Sequence, residues 1–238
     1  VYDDNYLVSC EEFIDEQDTD CQVILTKEEK TIFVCFRGSD SKQDWKLNFN
    51  SAFTSFPVNS NRKVHTGFAM QWLSVKDTVT DKLIGMLKKY DGKVERVIFC
   101  GHSLGSISNL ALLSITTDKR DIIKKEIMVE GITFGGPRIG NKEFKDYFED
   151  HVTCTRVVLD RDLVTRVPFW SGYRHVGDPI QIRETELIHR DTTTWETITW
   201  LLKGAFFERD FGVKDHDINR YYKEIGDIVF KNEDWSQD

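Results

Sequence analysis

The apolar positions of this chain alternate between runs typical of buried strands and spacings typical of helices. Short runs rich in β-branched and aromatic residues predict strands, whereas apolar residues three or four positions apart predict helices. The predicted strands lie at 21–26, 31–37, 97–100, 127–134 with a break at Gly131, 154–159 and 180–182. The predicted helices lie at 5–17, 68–90, 107–115, 143–149, 195–205 and 218–229.

The order of these elements predicts an α/β fold. Beyond residue 90 a strand alternates with a helix, which favours a mostly parallel central sheet with flanking helices and right-handed crossovers. Ligand sites in such sheets lie at the carboxyl ends of the strands. The length of 238 residues, with no linker or internal repeat, predicts a single domain over 1–238.

The segment 41–63 has no clear period and predicts an irregular stretch with exposed aromatic residues. These residues are Trp45, Phe49, Phe53 and Phe56. A second aromatic segment, 195–211, includes Trp195, Trp200, Phe206 and Phe207. Clustered apolar residues of this kind are typical of a surface that contacts lipid, and the alternative is that they pack on the sheet.

Charge and composition narrow the range of partners. The net charge of −8 disfavours nucleic acid and electrostatic docking on anionic lipid. No apolar run is long enough to cross a membrane. The first residues have neither the basic nor the apolar region of a signal peptide, so we expect none, although a trimmed secreted protein would look the same. Five cysteines, an odd number, favour a reducing setting and leave a Cys10–Cys21 bridge open. We therefore expect a cytoplasmic protein or one peripheral on lipid surfaces.

The strongest chemical signal lies at 97–108. An apolar strand runs into Gly101-His102-Ser103-Leu104-Gly105, and an apolar helix follows. Strand, sharp turn and helix are the context of a nucleophile elbow, in which a strained turn exposes a serine hydroxyl. The helix start also favours developing negative charge. We therefore predict that Ser103 is a nucleophile.

A serine hydrolase also needs an acid, a base and oxyanion donors. Chain order in this arrangement is serine, then acid, then histidine, which admits Asp162 or Asp160 after the strand at 154–159. His216 is the favoured base, at a helix start where Asp215 is a good N-cap candidate, and His175 and His189 remain alternatives. The expected donors are the backbone N–H of Leu104 and the loop Gly38-Ser39. The Ser39 hydroxyl is a candidate third donor, the alternative being a plain turn serine.

These motifs resemble the class 3 lipases, fungal-type α/β-hydrolases that include triacylglycerol lipases, feruloyl esterases and plant phospholipases A1. The resemblance extends from about residue 23 to about residue 222. It is carried by Phe36-Arg37-Gly38-Ser39 with Asp44-Trp45, Val64-His65-Thr66-Gly67-Phe68, the elbow, 133–141, 162–168, 173–177 and Asp215-His216 with a tyrosine soon after.

The resemblance implies an α/β-hydrolase fold with a triad of Ser103, Asp162 and His216 and oxyanion donors on Ser39 and Leu104. It further implies a lid over roughly 40–56, with Trp45, Phe49 and Phe53 meeting substrate, and a structural role for His175. Ser106 departs from the family pattern, which usually has glycine there, and could narrow the space behind the nucleophile.

The expected activity is hydrolysis of lipid esters through an acyl-enzyme, triacylglycerol being the leading substrate. The alternative substrates for the same triad are a phospholipid, a galactolipid or a soluble ester. A different kind of function, an inactive module that binds a partner, is the third hypothesis. We expect no metal and no cofactor, because the chain lacks His-Glu-x-x-His, a phosphate loop and a dinucleotide fingerprint. The sequence leaves the oligomeric state open.

Overall fold

The computed structural model describes residues 10–38, 52–118, 123–168, 172–183, 186–190 and 214–233. Within these ranges the strands are β1 (Cys10–Glu16), β2 (Cys21–Glu28), β3 (Thr31–Phe36), β4 (Phe53–Ser55), β5 (Lys63–His65), β6 (Arg96–His102), β7 (Met128–Phe134), β8 (Thr153–Leu159), β9 (Asp178–Arg183) and β10 (Glu186–Ile188). The α-helices are α1 (Thr66–Lys89), α2 (Ser108–Asp118), α3 (Lys142–His151) and α4 (Ile218–Glu233). Short 3₁₀ turns occur at Ser103–Ile107, Val164–Arg166 and Lys214–His216.

Eight of the described strands form one twisted sheet in the order β1-β2-β3-β6-β7-β8-β9-β10. The five strands from β3 to β9 are mutually parallel, while β1, β2 and β10 join by antiparallel pairing. This arrangement confirms the predicted α/β fold with a mostly parallel sheet. The carboxyl ends of β3, β6, β7 and β8 lie along one edge, where the chain places Gly38, Ser103, Gly135 and Asp162.

Helices cover both faces of the sheet. On one face α1 and α2 pack against strand residues that are almost fully buried, and the Trp72 indole N–H donates to Ser114 Oγ at 2.9 Å. On the other face Tyr221 and Ile228 of α4 pack against Val157, Leu159 and Ile182. The two layers bury β6 to β8, so the strand ends that carry the candidate site are rigidly placed.

The N-terminal hairpin corrects one prediction. Residues 10–16 form strand β1 and not part of a helix, pairing with β2 from Cys10 opposite Thr26 to Glu16 opposite Cys21. Ile14 is buried and Phe13 is exposed, as alternation in a strand requires. Sheet pairing therefore overrode a helical spacing. Cys10 and Cys21 lie at opposite ends of the hairpin and both are free thiols, so the bridge that the sequence left open is wrong.

Two further predictions change at 52–65 and at the start of α4. Strands β4 and β5 pair, which makes both ends of the stretch 53–65 regular. Phe56 is buried against Phe144, so this aromatic residue is not exposed as predicted. Asp217 is the residue that accepts from the Asn219 N–H, at 2.9 Å, whereas Asp215 forms an ion pair with Arg220. The N-cap is thus Asp217.

Gly131 lies inside a continuous β7 and does not break it. Its close neighbours are Leu112 of α2 and Cys154 of β8, which fill the space a side chain would need. In the part of the chain that the structure describes, no helix combines the length and the apolar character needed to span a bilayer.

Candidate active site

The turn after β6 holds Ser103 in a strained conformation. Ser103 has φ of 60°, in the left-handed region that residues other than glycine seldom adopt. The strand delivers it there because Val97 and Phe99 are completely buried and fix the register of β6. Backbone strain that surrounding packing maintains is typical of functional sites. The turn therefore presents the serine as the elbow motif predicts.

Close backbone approach explains both flanking glycines. A Cβ on Gly101 would lie 2.1 Å from the Gly105 carbonyl oxygen, and one on Gly105 would lie 2.3 Å from the Phe36 carbonyl oxygen. No side chain fits at either distance. The first contact closes the turn upon itself and the second holds it against the end of β3. Ser103 Oγ is buried and has no hydrogen-bond partner among the described residues.

The acid–base half of the site joins two distant stretches of chain. His216 Nδ1 lies 2.8 Å from Asp162 Oδ2, although 54 residues separate them. Asp162 is completely buried and His216 is 8% exposed. Asp162 Oδ1 also accepts from the Val164 N–H at 2.8 Å. Both carboxylate oxygens are therefore fixed, and the bond to Nδ1 leaves Nε2 as the atom that can take a proton.

Tyr221 completes the surroundings of the carboxylate. Its hydroxyl donates to Asp162 Oδ2 at 2.6 Å and accepts from the Leu159 N–H at 3.1 Å. Burial first, and then the negative charge of Asp162, hold the pKa of Tyr221 well above its ordinary value. The phenol therefore stays protonated and remains a donor. The sequence pattern contained this tyrosine only as one that follows Asp215-His216, without a role.

His102 connects the turn that carries Ser103 with the His216–Asp162 pair. Its ring stacks on His216 with centroids 4.5 Å apart and planes 30° apart, and its ring hydrogen-bonds to the His216 backbone. Burial first, and then the charge of His216, lower the pKa of His102 to about 4. A neutral ring therefore lies beneath the candidate base near neutral pH. Sequence reasoning excluded His102 as the base and missed this contact.

The competing residues have other partners. Asp160 accepts hydrogen bonds from Gln181 and, at 3.2 Å, from Arg183, which direct its carboxylate toward β9. His175 hydrogen-bonds to the Thr165 backbone, and desolvation lowers its pKa well below the ordinary value. His189 is exposed beyond β10. Geometry thus favours Asp162 and His216, although their catalytic roles stay predictions.

The oxyanion donors are only partly within the described residues. Leu104 is buried in the first turn after the serine. The N–H groups in the first turn of a helix have no partner within the helix, so the Leu104 N–H is placed to act as a donor. Ser39 lies outside the described residues, as do Trp45, Phe49 and the segment 195–211. Phe53, the third predicted lid residue, lies in β4 and stacks on Tyr173 at 4.0 Å between centroids. Gly38, the last described residue before Ser39, is close to the elbow: a Cβ there would lie 3.2 Å from Ser103 Cβ.

Ser106 fits behind the turn. It is buried, and a Cβ on Gly136 would lie 2.1 Å from its hydroxyl oxygen. The extra hydroxyl thus occupies space beside the loop after β7, where Gly136 leaves room for it. No group of three or more metal-ligating side chains is arranged for a metal within the described ranges.

Comparison with known proteins finds relatives of this chain. A family model described as "Lipase (class 3)" matches residues 33–172, more than half of the chain. The "Lipase" of Rhizomucor miehei is 29% identical over 185 residues, covering 76% of this chain and 50% of the relative. "Phospholipase A(1) DAD1, chloroplastic" of Arabidopsis thaliana is 31% identical over 155 residues, covering 58% of this chain and 34% of the relative. The chain thus spans half or less of the length of these relatives.

Solved structures share the fold. The triacylglyceride lipase of Rhizomucor miehei superimposes with a TM-score of 0.73 at 24% identity, covering 87% of this chain and 78% of that one. The lipase of Rhizopus microsporus var. chinensis gives 0.65 at 28% identity, covering 78% of this chain and 63% of that one. Both are enzymes by name, and the described elements of this chain follow the same architecture.

Proposed function

The chain belongs to the class 3 lipase family, and we propose that it is a serine hydrolase of lipid esters. One observation carries the proposal: a buried serine stands on a strained turn at the strand ends, and the residue before it, His102, stacks on the histidine of a buried histidine–carboxylate pair. An accidental Gly-x-Ser-x-Gly turn would not be joined by a completely buried carboxylate that accepts from a histidine. The names of the relatives, "Lipase" and "Phospholipase A(1)", support ester hydrolysis as the chemistry.

In the proposed mechanism Ser103 Oγ attacks the ester carbonyl while His216 Nε2 takes its proton. Asp162 holds Nδ1 and stabilises the imidazolium that forms. The tetrahedral oxyanion is stabilised by the Leu104 N–H and by Ser39. Collapse of this intermediate breaks the ester bond, and His216 returns the proton to the departing alkoxide. A water molecule then attacks the acyl-enzyme by the same route and releases the carboxylic acid.

Substrate class is the next step of the proposal. We place triacylglycerol first and phospholipid, galactolipid or a soluble ester second, because lipases and phospholipases A1 both occur among the relatives. Hydrolysis should be measured across triacylglycerol emulsions, phospholipid and galactolipid micelles and short p-nitrophenyl esters, with Ser103→Ala as the blank. A fluorophosphonate probe should label the chain but not that variant. Absence of labelling together with absence of hydrolysis would favour an inactive binding module.

Contact with a lipid–water interface is proposed through Trp45 and Phe49 of the predicted lid, since Phe56 at its end is buried against Phe144. A lid that opens at an interface would couple its opening to burial of Trp45 and Phe49. The variant Trp45→Ser with Phe49→Ser should lose activity on the emulsion and keep it on a soluble ester. Phe13→Ser is the matched control, because Phe13 is an exposed aromatic residue on β1. Equal loss on both substrates would contradict a lid at this segment.

Two predictions remain outside these tests. A single domain over 1–238 stays a prediction. A cytoplasmic or lipid-surface location also stays a prediction, since relatives carry names as different as "Lipase" and "chloroplastic".

A further inference from the structure

Two of the five cysteines face each other across neighbouring strands. β3 and β6 are parallel, and their register places Cys35 opposite Cys100. The two Sγ atoms lie 3.1 Å apart and both thiols are free. Both side chains are only partly buried. In β3 the alternate residues Ile32 and Val34 are completely buried, so Cys35 points to the opposite face of the sheet.

The other three cysteines lack this arrangement. Cys154 donates to Asn109 Oδ1 at 3.2 Å and is buried beside β7. Cys21 is buried at the start of β2, and Cys10 is exposed at the start of β1. Within the described residues, only Cys35 and Cys100 have sulfur within reach of sulfur. The two thiols are paired across the strands and remain partly accessible to solvent. They therefore differ from a buried cysteine that only fills space in an apolar core.

The pair lies directly behind the candidate site. Cys35 is three residues before Gly38, and Cys100 is three residues before Ser103. A Cβ on Gly38 would lie 2.7 Å from the His102 carbonyl oxygen, so the two strands remain in contact beyond the cysteines. Any change in the separation of β3 and β6 at the cysteines is therefore transmitted to the serine and to the loop that leads to Ser39.

The two thiols also differ in acidity. The hydrogen bond from Cys100 lowers the pKa of Cys35, while that contact and burial raise the pKa of Cys100. Cys35 is thus the better nucleophile and Cys100 holds the shared proton. This division of roles is what stepwise oxidation of a dithiol needs.

We propose that Cys35 and Cys100 form a peroxide-sensitive dithiol whose disulfide links β3 to β6 and lowers the hydrolytic activity of Ser103. The Cys35 thiolate attacks hydrogen peroxide, breaking the O–O bond to give a sulfenic acid, and the released hydroxide takes a proton to become water. The Cys100 sulfur then attacks the sulfenic sulfur and breaks the S–O bond. The leaving hydroxide takes the Cys100 proton, so two thiols and one peroxide give one disulfide and two waters.

A disulfide has its sulfur atoms about 2.0 Å apart, so the two sulfurs must approach by about 1 Å. Strand spacing in a sheet, about 4.8 Å, is within the Cα range that a disulfide allows. Misplacement of catalytic groups by about 1 Å can cost about a hundredfold in rate. Part of the approach is absorbed by the side chains, so we expect hydrolysis to fall by about tenfold.

The test uses the whole chain treated with increasing hydrogen peroxide, then blocked with iodoacetamide and digested with trypsin. The disulfide would join the peptides 31–37 and 97–119, which mass spectrometry identifies directly. Activity on a soluble ester is followed in parallel, before and after dithiothreitol. We expect the linked peptide and the loss of activity to rise together and both to reverse.

Three variants sharpen the result. Cys35→Ala and Cys100→Ala should each keep activity under peroxide, whereas Cys10→Ser, which removes an exposed thiol, should lose it as the unmodified chain does. No linked peptide at peroxide doses that oxidise Cys10 fully would overturn the proposal. A linked peptide with unchanged activity, or equal loss in Cys35→Ala, would overturn the coupling to Ser103.

The unmodified chain decides the question even if a variant fails to fold, since linkage and its reversal are read on it directly. The activity readout rests on the proposed function, whereas the linked peptide does not. If the untreated chain hydrolyses no ester, the proposed function fails while mass spectrometry still tests the thiol chemistry.

Discussion

The two halves of the candidate site are built in different ways. The nucleophile half, from β6 through Ile107, is contiguous in sequence and holds its geometry by backbone contacts at two glycines. The acid–base half joins Asp162 to His216 and Tyr221, which are 54 and 59 residues away, through side-chain hydrogen bonds in a buried place. One half depends on strain and small residues, and the other depends on packing that excludes water.

This difference shows which half of the site can be predicted from one short stretch of sequence. A strained turn needs particular residues at fixed spacing, because a Cβ at Gly101 or Gly105 would collide with backbone. A buried carboxylate needs only that each of its oxygens meets a donor, and residues from anywhere in the chain can supply one. Removing the nucleophile or the base should therefore have a larger effect on activity than changing the hydrogen bonds of the carboxylate.

The largest effect is expected from the two residues that link the halves. Ser103→Ala, His216→Ala and the double variant should each lose on the order of a millionfold in kcat, because nucleophile and base act as a unit. Steady-state hydrolysis of a soluble ester measures this, with circular dichroism to show that the fold persists. Losses in the double variant that multiply those of the single variants would mean that the two residues act independently.

The next effect isolates the carboxylate. Asp162→Asn should lower kcat by about a thousandfold or more, because the amide carries no negative charge to stabilise the imidazolium and its nitrogen must face a donor on one side, either Val164 N–H or His216 with Tyr221. Asp160→Asn is the matched control, two residues away on the same loop, and should change kcat little because its partners are Gln181 and Arg183. The opposite ranking of the two variants would reassign the acid.

Sequence reasoning predicted the nucleophile half almost completely. The motif, the buried strand before it and the apolar helix after it are all local, and the strain at Ser103 follows from the turn. It also predicted the mostly parallel sheet, since alternating strands and helices allow few topologies. The pairing of Asp162 with His216 was predicted from chain order and family resemblance, because the residues next to each of them in sequence do not indicate it.

Tertiary packing decided what the sequence left open. β1 has helical spacing at Cys10, Phe13 and Ile14, yet antiparallel pairing with β2 made it a strand. His102 and Tyr221 sit in ordinary-looking positions, and only the meeting of β6, β8 and α4 gives them contacts with His216 and Asp162. No local pattern marks a residue whose partner lies dozens of positions away.

The third prediction concerns the ring between the halves. His102 stays neutral down to about pH 4 in the folded protein, whereas the unfolded chain takes up this proton near 6.5. The unfolded state therefore binds more protons between these values, and the free energy of unfolding falls as pH drops from 6.5 to 4, by on the order of 3 kcal/mol. His175, whose pKa is also lowered, adds a loss of the same sign.

Denaturant unfolding of the parent chain and of His102→Asn at pH 7 and at pH 4.5 measures the contribution of His102. The variant should show a smaller fall in unfolding free energy between the two pH values. His151→Asn is the control, because His151 is an exposed histidine on α3, and it should keep the parent difference. An unchanged difference in His102→Asn would mean that His102 titrates alike in folded and unfolded states.

The smallest effect is expected from Tyr221→Phe, which tests whether the acid–base half depends on a third side chain. The change removes one donor from Asp162 Oδ2 and leaves the Leu159 N–H buried without its acceptor. The unpaired N–H should cost about 1–3 kcal/mol of unfolding free energy. Asp162 keeps its bonds to His216 and Val164, so it stays in place with more freedom about its side-chain torsion.

That freedom should lower kcat by about tenfold, equivalent to about 1.4 kcal/mol, with KM nearly constant, because the imidazole is oriented less well only as charge develops on it. Tyr222→Phe is the matched control: the neighbouring tyrosine is 79% exposed, and its variant should match the parent in both kcat and unfolding. A loss of stability with unchanged kcat would assign Tyr221 to packing alone. A loss of kcat beyond that of Asp162→Asn would instead require the phenol to act on the substrate itself, which its complete burial beneath the carboxylate argues against.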